Sequence, residues 1–201
     1  MTPHARTSRL SAAERRDQLL DVTGRQLSER GFHGLSIETV AAAAGVTRAT
    51  VYLHFRDLRE LLETVIDRET SRALTQFSET ALTPLDEGDP RELMLDALEA
   101  FLQAVRSRPA TWRLILMPPE GAPQQLRDRI AAGRVIALER LAAAVAPLAD
   151  RNPDMPDAEL TAQILSALSD EYARLVLTDP DAYPVSRLIG HARWWLETSP
   201  L

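Results

Sequence analysis

Residues 31–62 read GFHGLSIETVAAAAGVTRATVYLHFRDLRELL, and this stretch decides the fold. Ser36 is a good N-cap, because its hydroxyl can accept from an orphan amide of the first turn. Ile37, Val40, Ala41 and Ala44 follow at i, i+3, i+4 and i+7, the spacing of one buried helix face. Gly45 ends that helix, since glycine takes the left-handed conformation a tight turn needs. Val46 plugs the turn and Thr47 caps a third, short helix. Val51 and Phe55, four apart, point that helix inward. The pattern predicts a helix-turn-helix, whose second helix enters a DNA major groove.

The outward residues have matching chemistry. Arg48 can donate two hydrogen bonds to guanine or bind a phosphate. Ala49 and the Thr50 methyl can pack on a thymine methyl. The hydroxyls of Thr47 and Tyr52 can reach phosphate oxygens, although Tyr52 also suits a half-buried core. His54 suits a phosphate contact, a cap or solvent. With Ser36 and Arg56, the set expected at DNA is Ser36, Thr47, Arg48, Ala49, Thr50, Tyr52, His54 and Arg56.

Outward from this segment the chain is predicted to be all-α. Leu20, Thr23 and Leu27 form a stripe on a preceding helix that ends at Gly31. Breaks fall at Gly31–Gly34, Gly45, Asp86–Pro90, Pro118–Pro123, Asp150–Pro156 and Asp179–Pro184. About nine helices are expected between them, near 11–30, 37–44, 48–54, 57–81, 90–106, 109–117, 123–148, 156–178 and 184–197. Reciprocal capping boxes are expected for Ser11 with Glu14, Asp57 with Glu60, and Asp89 with Glu92. Residues 1–10 read as a mobile arm, 11–56 as the DNA-binding unit and 57–201 as a helical body.

Composition narrows the function. The chain has 201 residues, 45% hydrophobic and 26% charged, as in ordinary globular proteins. Without cysteine there is no disulfide, thiolate site or cysteine nucleophile. No apolar run suits a membrane span or signal peptide, so the cytoplasm is the simplest location. The net charge of −6 divides unevenly: residues 1–60 hold nine arginines against seven acids (+2), and the remainder fourteen against twenty-two (−8). A basic head on an acidic body suits a protein that meets DNA at one end. His4, His33, His54 and His191 form no metal-ligand spacing, and no catalytic constellation or cofactor is expected. A helical enzyme or interaction protein that keeps the motif as a scaffold is the alternative from another class.

The run Phe32–Ala41, Ala44–Tyr52, His54-Phe55 and Leu61-Leu62 resembles the DNA-binding segment of the TetR family of regulators, over roughly residues 12–62. Where members usually carry a phosphate-binding lysine, three residues after the phenylalanine, this chain has Leu58, with Arg56 and Arg59 nearby. The resemblance implies a homodimer on a near-palindromic double-stranded operator. It usually implies a repressor, released when a small molecule in the C-terminal body moves the recognition helices apart. An activator or an effector-independent regulator is the variant reading.

For the body, Phe77, Phe101, Trp112, Met117 and Tyr172 are the candidates to line an apolar effector pocket, or to fill the core. Few charged residues look placed to meet a ligand, which favours an apolar effector of unknown identity. Met117–Gly121 is a stiff break suited to a pocket entrance. Leu160, Ile164, Leu168, Leu175, Val185, Leu188, Ile189, Ala192 and Leu196 make apolar faces on the last two helices. The resemblance implies that these helices dimerise; the faces also suit packing within one subunit.

Overall fold

The computed structural model describes residues 10–80, 89–151 and 157–198. Among them lie nine helices and no strand: α1 (Ala12–Arg30), α2 (Ile37–Ala44), α3 (Arg48–Tyr52), α4 (Leu58–Glu79), α5 (Pro90–Ser107), α6 (Pro109–Leu116), α7 (Gln124–Arg151), α8 (Ala158–Thr178) and α9 (Val185–Thr198). The all-α expectation holds, with no end shifted by more than three residues and α2 unchanged. Most of the N-terminal arm (residues 1–9) lies outside the described residues, as does much of the predicted breaks at 86–90 and 150–156.

Local chemistry explains the ends. Ser11 and Glu14 make the expected reciprocal box at α1. The other two boxes are only half made. Asp57 accepts from the Glu60 amide at 2.8 Å, but the Glu60 carboxylate takes the Arg56 amide instead. Asp89 accepts from the Arg91 amide, while Glu92 turns to Arg193 on α9. In each case the carboxylate takes another donor in place of the cap amide. α7 continues past Pro147 to Arg151. α3 stops at Tyr52, two residues short of expectation, because the chain then turns Phe55 back into the core.

Two main cores form. The N-terminal one gathers α1 to the first half of α4 around Leu19, Leu20, Leu27, Val40, Val51, Phe55 and Leu61, each no more than 1% exposed. Removing each such side chain from water is worth about 1.5–3 kcal/mol. The second core joins α4, α5, α6, α8 and α9 around Phe101, Leu102, Trp112, Tyr172 and Leu188. A smaller cluster of Ile66, Leu114, Ala122 and Leu126 links them, and Phe32 packs against both it and the N-terminal core. α4 runs through all three clusters.

Candidate nucleic-acid interface and cavity

The turn between α2 and α3 is built as the sequence reads. Gly45 sits at φ 67°, ψ 34°, and the Val46 amide reaches back to the Ala41 carbonyl at 2.9 Å, the closure that satisfies the last carbonyls of a helix. α1 holds the turn from behind. Gln18 Nε2 donates to the Ala44 carbonyl at 3.2 Å, and Gln26 Nε2 to Thr39 O at 3.1 Å. Thr47 Oγ1 accepts from the Thr50 amide, and the two threonine hydroxyls lie 3.0 Å apart. Val51 and Phe55 are buried, with the Arg16 guanidinium 4.8 Å above the Phe55 ring.

These anchors leave Thr47, Arg48, Ala49 and Tyr52 exposed together on one side of α3. Thr50 and His54 are half-buried beside them. Ser36 is half-buried at the α2 cap, where it exchanges hydrogen bonds with Thr39. Arg48 is not idle: its Nε lies 3.0 Å from a Glu38 carboxylate oxygen on α2. The Glu38 carboxyl is held below its usual range, first by its own backbone amide, then by the Ser36 hydroxyl and Arg48. Arg56 is exposed and pairs with Asp57 at 3.4 Å; Arg59 pairs with Glu63 at 2.9 Å. Leu58 packs half-buried against the N-terminal core.

Sequence reasoning missed two residues here. Leu53, 82% exposed, stands next to Tyr52; its place off the Val51–Phe55 stripe was a readable signal. The Glu38–Arg48 pair crosses between helices, and no local spacing shows it.

In the body, a cavity of about 200 Å³ lies among α4, α5, α6, α7 and α8. Phe77, Phe101 and Trp112 line it as an edge-to-face chain, with centroids 6.2 Å and 5.1 Å apart. Met117 is exposed at the end of α6, away from the wall, and Tyr172 is in the core with its hydroxyl 2.7 Å from His191 Nδ1. The Met117–Gly121 break does not reach the cavity either. It lies against the α1–α2 corner, where Pro119 approaches Gly31 and Gly121 meets His33. The wall is also more charged than the sequence suggests. Arg129, Arg134, Arg140 and Asp170 all reach it, because α7 presents three arginines on one face, a pattern hidden in an evenly charged helix. Burial pushes the Asp170 carboxyl above its usual value, opposed by Arg134 at 2.8 Å and Arg174 at 3.9 Å.

The apolar faces of the last two helices divide. Val185, Leu188, Ala192 and Leu196 are buried within the subunit, with Leu168, Leu175 and Ile189 half-buried against the same core. Leu160 and Ile164 are about half exposed, as is Trp194, which the sequence reading passed over.

Residues 19–65 match the family model described as bacterial regulatory proteins, tetR family. Over that segment the chain is similar to this family. The transcriptional regulator AcrR of Shigella flexneri is 33% identical over 109 residues, 52% of this chain and 49% of AcrR. The transcriptional activator FasR of Mycolicibacterium smegmatis is 28% identical over 176 residues, covering 87% of this chain and 77% of FasR. The chain thus spans about half the length of the first relative and about three-quarters of the second. A TetR-like transcriptional regulator from Rhodococcus sp. RHA1 superposes with a TM-score of 0.72 at 26% identity, over 95% of this chain and 100% of that one. These relatives are regulators of transcription. Among the described residues, no helix of this chain is long and apolar enough to cross a membrane.

Proposed function

We propose that the chain is a sequence-specific DNA-binding regulator of transcription. In this reading it acts in the cytoplasm as a homodimer on a near-palindromic operator, with a small molecule in the body cavity setting its operator affinity. The observation that carries the DNA reading is the outward face of α3, with Thr47, Arg48, Ala49 and Tyr52 exposed together over an anchored Val51–Phe55 base. Arg48 reads a base edge, Thr47 and Tyr52 hold phosphates, and Thr50, His54, Ser36 and Arg56 flank the contact. Residues 11–56 are the DNA-binding unit and 57–201 the effector and dimerisation unit, with Leu160, Ile164 and Trp194 facing the partner copy.

Repression is the first reading. Activation is the second, favoured by FasR, which is named an activator and matches most of the chain. Anisotropy titration of the full chain against fragments flanking its own gene tests the proposal. Selective binding that weakens steeply with salt supports it. Equal affinity for every fragment sinks it. Transcript levels after deletion separate the two directions.

A further inference from the structure

The charged groups on the cavity wall are unequal in sign. Arg129, Arg134 and Arg140 reach it from α7, against one carboxylate, Asp170 of α8. Two of the three arginines are already matched: Arg129 with Asp67 at 2.9 Å, and Arg134 with Asp170 at 2.8 Å. Arg174 leans on Asp170 as well. Among the described residues, the Arg140 side chain meets only the neutral hydroxyl of Ser78. A cationic ligand would therefore find the one lining carboxylate engaged by two arginines. An anionic ligand finds a guanidinium with no carboxylate opposite it. Arginine suits a carboxylate, whose two oxygens take two parallel hydrogen bonds from its fork, and a single unmatched guanidinium balances one negative charge.

The geometry also gives the ligand a shape. α7 is fastened to α4 at two places, Asp67 to Arg129 and Ser78 to Arg140. The two fasteners are eleven residues apart on each helix, about 16 Å at 1.5 Å per residue. From the Arg140 end the wall becomes apolar and aromatic, through Leu74 and Phe77 to Phe101 and Trp112. The hydroxyls of Thr70 and Thr80 do not break that wall, since each donates to a carbonyl of its own helix.

We propose that the cavity binds a monoanionic amphiphile, with a carboxylate head on Arg140 and an apolar body along Phe77, Phe101 and Trp112. This rests on the effector reading above and departs from the expectation of an apolar effector. Arg140 is the specificity-determining residue: it selects the head, and the aromatic chain accepts the body.

Isothermal titration of the full chain with three probes of equal chain length tests this: decanoate and decyltrimethylammonium below their micelle concentrations, and decan-1-ol below its solubility limit. Decanoate is expected to bind one molecule per chain, about tenfold or more tighter than decan-1-ol. Arg140→Gln should remove that preference by weakening decanoate alone, and Arg140→Lys should restore part of it. Arg140 is exposed, so both variants should keep the wild-type thermal midpoint. Equal binding of decanoate and decan-1-ol, tightest binding of decyltrimethylammonium, or an Arg140→Gln variant that weakens decanoate and decan-1-ol alike would each overturn the proposal. Operator anisotropy with and without decanoate separates the two readings. Arg140-dependent binding that leaves operator affinity unchanged upholds the anion site and removes its effector role. An operator response without head-group preference does the reverse.

Discussion

His33 stands against the backbone of Gly121, so closely that a β-carbon at residue 121 would lie 2.5 Å from His33 Nε2. The α6–α7 connection thereby docks on the α1–α2 corner. Gly121 also holds φ at 76°, a conformation that costs a residue with a β-carbon roughly 1–2 kcal/mol. Gly121→Ala should therefore destabilise the chain by about 1–2 kcal/mol and push the His33 ring away. In a His33→Ala background the collision disappears and the backbone cost remains. Urea denaturation of the four proteins of this cycle measures both parts; a Gly121→Ala variant as stable as wild type would show that the loop is free to relax.

Arg48 meets Glu38 before it meets any DNA. Glu38→Gln should release the arginine and raise affinity for the selected operator, while leaving the fold intact because both side chains are exposed. Arg48→Ala should cost about 1–3 kcal/mol of binding and relax selection at one base pair. Competition titrations with single-base operator variants read both effects. An Arg48→Ala loss spread evenly over all sequences would assign Arg48 to phosphate instead.

Glu69 is 5% exposed, between Arg68 at 2.9 Å and Arg72 at 3.0 Å, and accepts a hydrogen bond from Thr111 on α6. Both arginines also reach Asp21 on α1. Removing the central carboxylate leaves two crowded cations, so Glu69→Ala should destabilise by about 3 kcal/mol. Thr111→Val removes one hydrogen bond to a charged group and should cost less, about 1.5 kcal/mol. Chemical denaturation orders the two; equal losses would mean that packing, not charge, dominates the site.

The HTH region was more legible than the body, and the reason is range. Ser36, Gly45, Thr47, Val51 and Phe55 act through neighbours a few residues away, so spacing alone predicts their geometry. The Glu69 cluster joins residues 21, 69 and 111 from three helices, and nothing local marks it. Leu58 illustrates the middle case: the sequence shows that it is not a lysine, but only packing shows it set against the N-terminal core. The dimer faces and pocket candidates divided for the same reason. Amphipathic spacing states which side of a helix is apolar, not which neighbour covers it.

Asp170 should leave a mark on the pH dependence of stability. Burial raises its folded value above the ordinary 3.8, more than Arg134 and Arg174 lower it. A carboxyl raised on folding contributes stability that is complete below 3.8 and is lost as pH rises through the folded value. Asp170→Asn should therefore flatten the fall in thermal midpoint from pH 4 upward, by comparison with wild type. Parallel wild-type and variant curves over that range would show that the two arginines cancel the effect of burial.

α4 has two working sides on interleaved positions. Thr70, Ala73, Leu74 and Phe77 face the cavity, while Arg68 and Arg72, held by Glu69, clasp Asp21 of α1. In the proposed reading, ligand choice and mechanical linkage are thus written on different residues of one rod. There a lineage could exchange residues 73, 74 and 77 to suit a new small molecule while the clasp to the proposed DNA-binding unit stays unchanged. On that reading sensing and actuation drift independently, although a single helix carries both.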